Sequence, residues 1–159
     1  MATYNVTGVP VASGVPTVND EGGYQDHARS YVLKGVIDLT SKTTASGLVV
    51  ADVYQCLAIP ADTLVLNVFV KVATAATGTL TIDVGDASDA DDWDEDVDVT
   101  ATAGTVTYGI SGTDTLCDTV GDGQGKLYTT ADTIDITIVS STGAVGPKLE
   151  IYALCVSIN

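Results

Sequence analysis

Apolar and polar residues alternate with a period of two over much of this chain. The alternation is clearest in residues 64–72, where Leu and Val occupy every second position, and it recurs in residues 80–84, 134–138 and 149–156. Successive side chains of a β-strand point to opposite faces of a sheet, so this period predicts strands with one buried face. No segment supports a helix, and we therefore expect a chain built from strands.

The remaining strands are predicted from apolar runs and from the turn residues between them. Residues Tyr31–Thr40 and Val53–Ile59 form two such runs, and Pro60-Ala61-Asp62 ends the second in a turn, because Pro fixes φ and Asp bonds its own backbone. Residues 97–102 and 105–110 are separated by an Ala-Gly pair, which predicts a hairpin. In total we expect about eight strands at hairpin-like spacing.

The segment 149–156 differs from the other predicted strands because both of its faces are apolar. Leu149, Ile151 and Cys155 alternate with residues that include Tyr152 and Leu154. A strand that is apolar on both faces is covered on both sides. We therefore expect this strand at the centre of a sheet or at a contact between subunits.

Composition favours the same fold class. Thr and Val are the commonest residues, at 23 and 22 of 159, and 16 residues are Gly. β-Branched side chains are stiff at χ1 and pack well on a pleated strand, whereas Gly suits the tight turns between short strands. We predict an all-β domain over residues 31–159, a two-sheet antiparallel sandwich of jelly-roll type, with a fibronectin-like sandwich as the alternative.

Residues 1–30 differ from the rest of the chain, and we predict that they form an extended N-terminal arm. Two prolines among valines keep the segment extended and deny it helical hydrogen bonds. The valines also give it more apolar character than a disordered tail usually has. An extended apolar strand can lie across a neighbouring subunit, and the candidate contact residues are Val9, Val11, Val15 and Val18. The alternative is a frayed terminus without a partner.

The chain is strongly acidic, with a formal net charge of −15 from 6 Lys and Arg against 21 Asp and Glu. Nucleic acids and anionic lipids are bound chiefly through Lys and Arg, so we expect neither a nucleic acid nor a membrane as a partner. No apolar run of about 18 residues predicts a membrane span. The N-terminus lacks the basic start and apolar stretch of a signal peptide, and we expect synthesis in a cytoplasm.

The sequence offers little for catalysis. His27 is the only histidine, and it lies in a polar stretch where we expect a surface side chain rather than a general base fixed beside a nucleophile. The three cysteines, Cys56, Cys117 and Cys155, are far apart and odd in number, so no disulfide framework is predicted. Cys56 and Cys155 lie in apolar runs and are expected to be buried. We predict no enzymatic activity and no cofactor.

Residues 83–98, the acidic segment, contain eight Asp and one Glu, with no Lys or Arg between Lys71 and Lys126 to neutralise them. Closely spaced carboxylates can bind calcium, and the candidate ligands would be Asp89, Asp91, Asp92, Asp94 and Asp96. The segment does not fit the EF-hand template, because no candidate start has Gly at position six or an acidic residue at position twelve. The interpretation we prefer is a solvated loop whose Asp side chains shape turns, with no metal bound.

Two stretches of the chain each combine an alternating strand with a characteristic turn. The first is Leu57–Val65, in which Ile59-Pro60-Ala61 forms a turn that leads into an alternating strand. The second is Thr79–Asp86, which ends in Val84-Gly85-Asp86 before an Asp-rich loop that contains Trp93. In these turns and strand ends, which are typical of β-domains in phage virions, the chain resembles the capsid decoration proteins, also called cement proteins, of tailed bacteriophages.

The resemblance extends over roughly residues 31–155 and implies a jelly-roll domain that binds the outer surface of a phage capsid. It implies a protein that is made in the host cytoplasm, forms a homotrimer at local three-fold positions, and stabilises the capsid by bridging major capsid protein subunits. It also implies an N-terminal arm that reaches adjacent capsid subunits, and it supplies no catalytic residue. The alternative function is a receptor- or glycan-binding β-domain of a phage tail or fibre, for which the scattered aromatic residues give little support.

Overall fold

The computed structural model describes residues 30–108 and 125–158, and every regular element within them is a β-strand. The strands are β1 (Ser30–Asp38), β2 (Val53–Ile59), β3 (Thr63–Thr74), β4 (Thr77–Gly85), β5 (Asp94–Asp98), β6 (Val106–Tyr108), β7 (Lys126–Tyr128), β8 (Asp132–Val145) and β9 (Lys148–Ser157). No helix in this part of the chain is long and apolar enough to cross a membrane.

The strands form two antiparallel sheets that pack as a sandwich. The first sheet has the order β1-β9-β3-β6, and β7 pairs with the other end of β3. The second sheet has the order β2-β8-β4-β5. This arrangement confirms the predicted all-β sandwich of jelly-roll type. The predicted turn at Pro60-Ala61-Asp62 joins β2 of the second sheet to β3 of the first, and Asp62 adopts a left-handed φ of 55° there.

The hydrophobic core lies between the sheets and is built from the inward positions of their central strands. Removing apolar side chains from water stabilises the fold by roughly 25 cal/mol per Å². The largest fully buried side chains are Leu48, Ile59, Val65, Val68, Val70, Leu80, Ile82, Ile134, Ile136, Ile138, Leu149 and Ile151.

The last strand, β9, lies between β1 and β3 at the centre of the first sheet, which confirms its predicted central position. Its odd-numbered residues from Leu149 to Cys155 are fully buried in the core. The residues between them, among them Tyr152 and Leu154, lie on the outer face of the sheet and are half-buried.

Strand β3 departs from strict alternation at Leu66. Val65 pairs with Cys155 and Asn67 pairs with Leu154, so Leu66 is an extra residue in a β-bulge. Leu66 is exposed, whereas Val65 before it is buried in the core. The expectation of unbroken alternation through this strand is wrong at the bulge, because one added residue exchanges the two faces.

The predicted hairpin around Ala103-Gly104 is also wrong. Strand β5 belongs to the second sheet and β6 to the first, so the two strands do not pair. The chain between them crosses from one sheet to the other. The Ala76 amide donates to the Val99 carbonyl at 2.9 Å, whereas the Gly104 amide donates to the Val72 carbonyl at 2.7 Å. Val99 is fully buried, and burial of this crossing segment in the core outweighs the local turn signal.

The two sheets approach closely where β1 passes β2, at Gly35. A Cβ atom on Gly35 would lie 2.4 Å from the carbonyl oxygen of Cys56 and 3.3 Å from the Cβ of Leu57. The absence of a side chain at this position therefore allows the edge strands of the two sheets to close one side of the sandwich.

Candidate functional site

The outward side chains of the first sheet form a largely apolar surface. Strand register places Val32 opposite Leu154, and it places Leu64 between Val156 and Leu127. Residues that pair in an antiparallel sheet share one face, so these side chains are neighbours. We call this surface the apolar outer face. Its apolar members are Val32, Val36, Leu64, Phe69, Val106, Leu127, Tyr152, Leu154 and Val156.

Several members of the apolar outer face are strongly exposed. Val32 is 60% exposed, Val36 is 53% exposed and Leu127 is 47% exposed. Single apolar side chains on a protein surface are ordinary. An apolar cluster formed by neighbouring side chains of several strands is less common and is typical of surfaces that contact another molecule.

Glu150 connects the charged side chains of the apolar outer face. Its carboxylate accepts hydrogen bonds from Lys34 at 2.9 Å, from Lys71 at 2.9 Å and from the Tyr152 hydroxyl at 2.7 Å. The Lys34 ammonium also lies 5.2 Å from the centre of the Tyr152 ring. These hydrogen bonds, that of Lys71 first, lower the pKa of Glu150 to about 2. The carboxylate therefore stays ionised across the physiological pH range.

The charges on the apolar outer face nearly cancel. The face carries three of the chain's 6 Lys and Arg residues, namely Lys34, Lys71 and Lys148. They lie beside two carboxylates, because Lys34 and Lys71 pair with Glu150 and Lys148 pairs with Asp38 at 3.5 Å. The whole chain has a net charge of −15. The apolar outer face is thus far less negative than the protein as a whole.

The outer face of the second sheet is polar and acidic. The hydroxyls of Thr81 and Ser140 hydrogen-bond each other there at 2.7 Å. Asp98 pairs with Thr81 in the strand register, and Asp83 pairs with Thr137. None of the four strands of this sheet contains Lys or Arg. We call this surface the acidic outer face.

The acidic segment folds back over Gly85, the last residue of β4. A Cβ atom on Gly85 would lie 2.1 Å from the carbonyl oxygen of Asp89, so no larger residue fits at this position. Asp86 then stabilises the turn, because its Oδ1 accepts hydrogen bonds from the amide of Ser88 at 2.8 Å and from its hydroxyl at 2.6 Å. The Val-Gly-Asp pattern that the sequence shows at this strand end therefore has a structural reason.

Lys126, on β7 of the first sheet, forms ion pairs with two buried carboxylates of the acidic segment. Its Nζ contacts Oδ2 of Asp86 and Oδ2 of Asp92, whose side chains are 0% and 1% exposed. Tyr128 donates its hydroxyl to Asp86 at 2.8 Å and accepts a hydrogen bond from Nε1 of Trp93 at 3.2 Å. Burial alone would raise the pKa of Asp86, but its hydrogen bonds, that of Lys126 first, outweigh burial and lower the pKa to about 2.

This Lys126 network, formed by Lys126, Tyr128, Asp86, Asp92 and Trp93, ties the two sheets together at one end of the sandwich. Trp93 is buried in the core, where it supports the network. Sequence reasoning missed the role of Lys126, because the residue is distant in sequence from the acidic segment and no local pattern joins the two.

The five candidate calcium ligands do not converge on one point. Asp92 and Asp94 are buried, Asp89 is half-buried, and Asp91 and Asp96 are exposed. Among residues 30–108 and 125–158, no group of three or more His, Cys, Asp or Glu side chains is placed to hold a metal ion.

Other carboxyl groups of the acidic segment hold protons more tightly than usual. The neighbouring carboxyl of Asp89, which hydrogen-bonds Asp91, and then burial raise the pKa of Asp91 to about 6. Burial first, and then the charge of Asp83, raise the pKa of Asp94 to about 6. Burial also raises the pKa of Asp135 on the second sheet, whose Oδ1 is buried without a hydrogen-bond partner.

The candidate contact residues of the N-terminal arm lie outside the part of the chain that the structure describes: Val9, Val11, Val15 and Val18. His27 and Cys117 also lie outside it. Cys155 is free and buried, as expected, and Cys56 is free and half-buried. Burial raises the pKa of the Cys56 thiol to about 12, so this thiol is protonated and unreactive at neutral pH.

No protein-family model matches the chain, and no curated protein matches it. Three chains from solved structures share its fold at low sequence identity. A chain of the cyanophage Pam1 capsid asymmetric unit aligns with a TM-score of 0.57 and 17% identity, over 99% of each chain. A chain of the acidic stable capsid structure of Helicobacter pylori bacteriophage KHP30 aligns with a TM-score of 0.52 and 16% identity, over 84% of this chain and 91% of that chain. A chain of the capsid of Ralstonia phage GP4 aligns with a TM-score of 0.54 and 18% identity, over 83% of this chain and 87% of that chain. At these identities the likeness establishes a common β-sandwich fold.

Proposed function

We propose that the chain is a structural virion protein that binds the outer surface of a phage capsid and stabilises it by bridging major capsid protein subunits. The observation that carries the proposal is the shared fold, which extends over 99% of this chain and of its neighbour in the Pam1 capsid asymmetric unit. The other two matching chains also come from phage capsid structures. The resemblance to decoration proteins in residues 57–65 and 79–86 supports the same function from the sequence.

The surfaces of the domain fit this role in physical terms. A protein that binds only the assembled shell stabilises it by mass action. Three linked subunits add avidity without any new contact. A protein with a net charge of −15 does not bind the phage genome in competition with other proteins, because it repels nucleic acid. The role is structural, and we assign no catalytic residue to it.

Binding to capsids tests the proposal. Purified full-length protein is mixed with capsids of the encoding phage that lack the decoration protein, and the capsids are sedimented. We expect saturable binding to the capsid exterior and capsids that release their DNA at a higher temperature. Absence of binding to capsids, together with binding to tails or to host-cell glycans, would favour a tail or fibre domain and reject the proposal.

Deletion of residues 1–28 tests the arm that the sequence predicts. We expect the truncated chain to fold, because the described strands begin at Ser30. We expect its capsid affinity to fall at least tenfold, because an extended apolar segment adds contact area on a neighbouring subunit. Equal affinity would show that the segment is a tail without a partner. Loss of the β-sheet circular dichroism signal would show that the segment belongs to the domain itself.

A further inference from the structure

We propose that the apolar outer face of the first sheet is the surface through which copies of this chain associate. The inference deepens the proposed function, on which it rests, by naming the contact between its three subunits. It assigns the acidic outer face of the second sheet to the solvent side of the assembly. The partner that covers the apolar outer face is a second copy of the chain.

The first argument is the extent of the apolar outer face. Strand β1 contains nine residues, which correspond to about 30 Å of extended chain. The β1-β9-β3-β6 order gives a width of about 19 Å at about 4.8 Å per strand. The product is at most roughly 600 Å² in projection, because β6 contains only three residues. In a ring of three, each copy divides this area between two neighbours, so each contact takes roughly 300 Å² in projection from each copy, less than the roughly 800 Å² of a typical stable contact. Closure of the ring lets three such contacts act together, which compensates for the small area of each.

The second argument is charge. Two copies that each carry −15 repel one another unless they meet through a surface where the charges cancel. The apolar outer face meets this requirement, because its three lysines lie beside two carboxylates. The acidic outer face does not meet it, since its strands contain no Lys or Arg. The distribution of charge therefore favours the apolar outer face, and not the acidic outer face, for contact between copies.

The third argument is symmetry. A closed ring of three copies has heterologous contacts, in which one part of a surface meets a different part on the next copy. The apolar outer face offers two such parts on either side of the central strands β9 and β3. Val32 and Val36 lie on β1 at one edge, and Leu127 lies on β7 at the other. With the three-fold axis in front of β9 and β3, the β1 edge of one copy meets the β6–β7 edge of the next.

The experiment compares three single substitutions in the full-length chain. Val32→Glu and Leu127→Glu place a negative charge at opposite edges of the apolar outer face. Val53→Glu is the matched control, because Val53 is an outward valine on β2, the edge strand of the second sheet, and is 56% exposed compared with 60% for Val32. Light scattering during size exclusion gives the mass of each variant at about 50 µM, and circular dichroism monitors the fold.

We expect the wild-type chain and Val53→Glu to have three times the 16.2 kDa chain mass. We expect Val32→Glu and Leu127→Glu to be folded and to associate at least tenfold more weakly, with masses near that of one chain. A monomeric wild-type chain, or edge variants that associate like the wild type, would overturn the proposal. Edge variants that stay trimeric but no longer bind capsids would also overturn it, and would assign the face to the capsid. Failure of the wild-type trimer to bind any capsid would reject the proposed function instead and leave the contact between copies standing.

Discussion

The outer faces of the two sheets differ in the residues that occupy equivalent positions. On β9 of the first sheet, the positions between buried residues hold Tyr152 and Leu154, whereas on β4 of the second sheet they hold Thr81 and Asp83. The inward residues of both strands are alike, since they are apolar and fully buried. The inward half of the alternating pattern therefore builds the core, and the outward half determines which side of the domain meets a partner.

The two faces also differ in the neighbours and pKa values of their carboxyl groups. On the apolar outer face, Glu150 is held between Lys34 and Lys71, and its pKa is lowered to about 2. On the second sheet and the acidic segment, burial and neighbouring carboxylates raise the pKa values of Asp83, Asp91, Asp94 and Asp135, whereas Lys126 and other hydrogen-bond partners lower that of Asp86. A surface with paired charges is less costly to cover than one with unpaired like charges.

The strongest test of this comparison targets the Lys126 network, which links the two sheets. Lys126→Ala removes the cation of the first sheet that forms ion pairs with Asp86 and Asp92. Loss of one member of a buried ion pair typically costs 3–5 kcal/mol. We expect the free energy of unfolding to fall by about 3 kcal/mol and Tm to fall by about 6–12 °C.

Lys148→Ala is the matched control for this substitution. Lys148 belongs to an exposed pair with Asp38 at 3.5 Å, and exposed pairs contribute about 0–1 kcal/mol. We expect its melting curve to overlap that of the wild type within about 2 °C. Equal melting temperatures for Lys126→Ala and Lys148→Ala would mean that the Lys126 network does not stabilise the sandwich.

The second prediction uses pH to separate the two faces. The pKa values of Asp91 and Asp94 are about 6 in the folded chain, above the usual value, so the folded state binds protons that the unfolded state releases. Stability therefore falls as pH rises from about 4 to 6 and levels off above about pH 7, where these groups are ionised in both states. The lowered pKa values of Asp86 and Glu150, about 2, have the opposite effect, and their stabilisation is lost as pH falls from about 4 to 2. We expect the highest Tm near pH 4–5.

Thermal melts from pH 3 to pH 8 measure this profile. Asp94→Asn is the control that isolates one buried group, because Asn does not titrate. We expect the variant to match the wild type near pH 4 and to exceed it at pH 7, with a flatter slope between. A wild-type Tm that increases from pH 5 to pH 7 would contradict the raised pKa values.

The sequence predicted the strands better than their partners. The bounds of β2, Val53–Ile59, and the central position of β9 followed from patterns within single segments. The bulge at Leu66 and the crossing of the chain between β5 and β6 did not, because both depend on pairing with strands elsewhere in the sequence. Local alternation states which residues share a face of one strand, but it does not state which strand lies beside it.

The candidate site shows the same limit. Val32 and Val36 alternate in β1, and Leu154 and Val156 alternate in β9, yet only the register joins them into one surface. The Lys126 network likewise depends on residues that the fold brings together from separate strands. Two sequence signals pointed to a contact between subunits: the apolar character of both faces of β9, and the valines of the N-terminal arm, which lie outside the described residues.

A smaller effect is expected at Asp135, which lies on the second sheet. Its Oδ1 and the Thr133 hydroxyl are buried without a hydrogen bond of standard geometry, and burial raises the pKa of Asp135 although the nearby Thr133 side chain opposes this effect. Asp135→Asn removes the buried charge and supplies an amide donor, so we expect stability at pH 7 to increase by about 1 kcal/mol. Urea unfolding at pH 7 and pH 4 measures the difference, which should be smaller at pH 4. Destabilisation at pH 7 would mean that the carboxylate has a role the structure does not show.

The smallest expected effect concerns metal removal from the acidic segment. Calcium requires six to eight oxygen ligands around one point, whereas Asp86 and Asp92 already contact the Lys126 ammonium, which supplies a positive charge beside them. Asp91 and Asp96 are exposed, and the carboxyl group of Asp91 is hydrogen-bonded to that of Asp89. We therefore expect melts with EDTA and with millimolar calcium to agree within about 1 °C, because residues 30–108 and 125–158 offer no group of carboxylates placed to bind the ion. A decrease of about 10 °C or more in EDTA, which is several times the roughly 2–4 °C that 1 kcal/mol shifts Tm in a domain of this size, would establish a structural calcium site instead. Lys126→Ala is the matched comparison. Removal of the lysine ammonium is the change that would make the carboxylates of Asp86 and Asp92 available to added calcium.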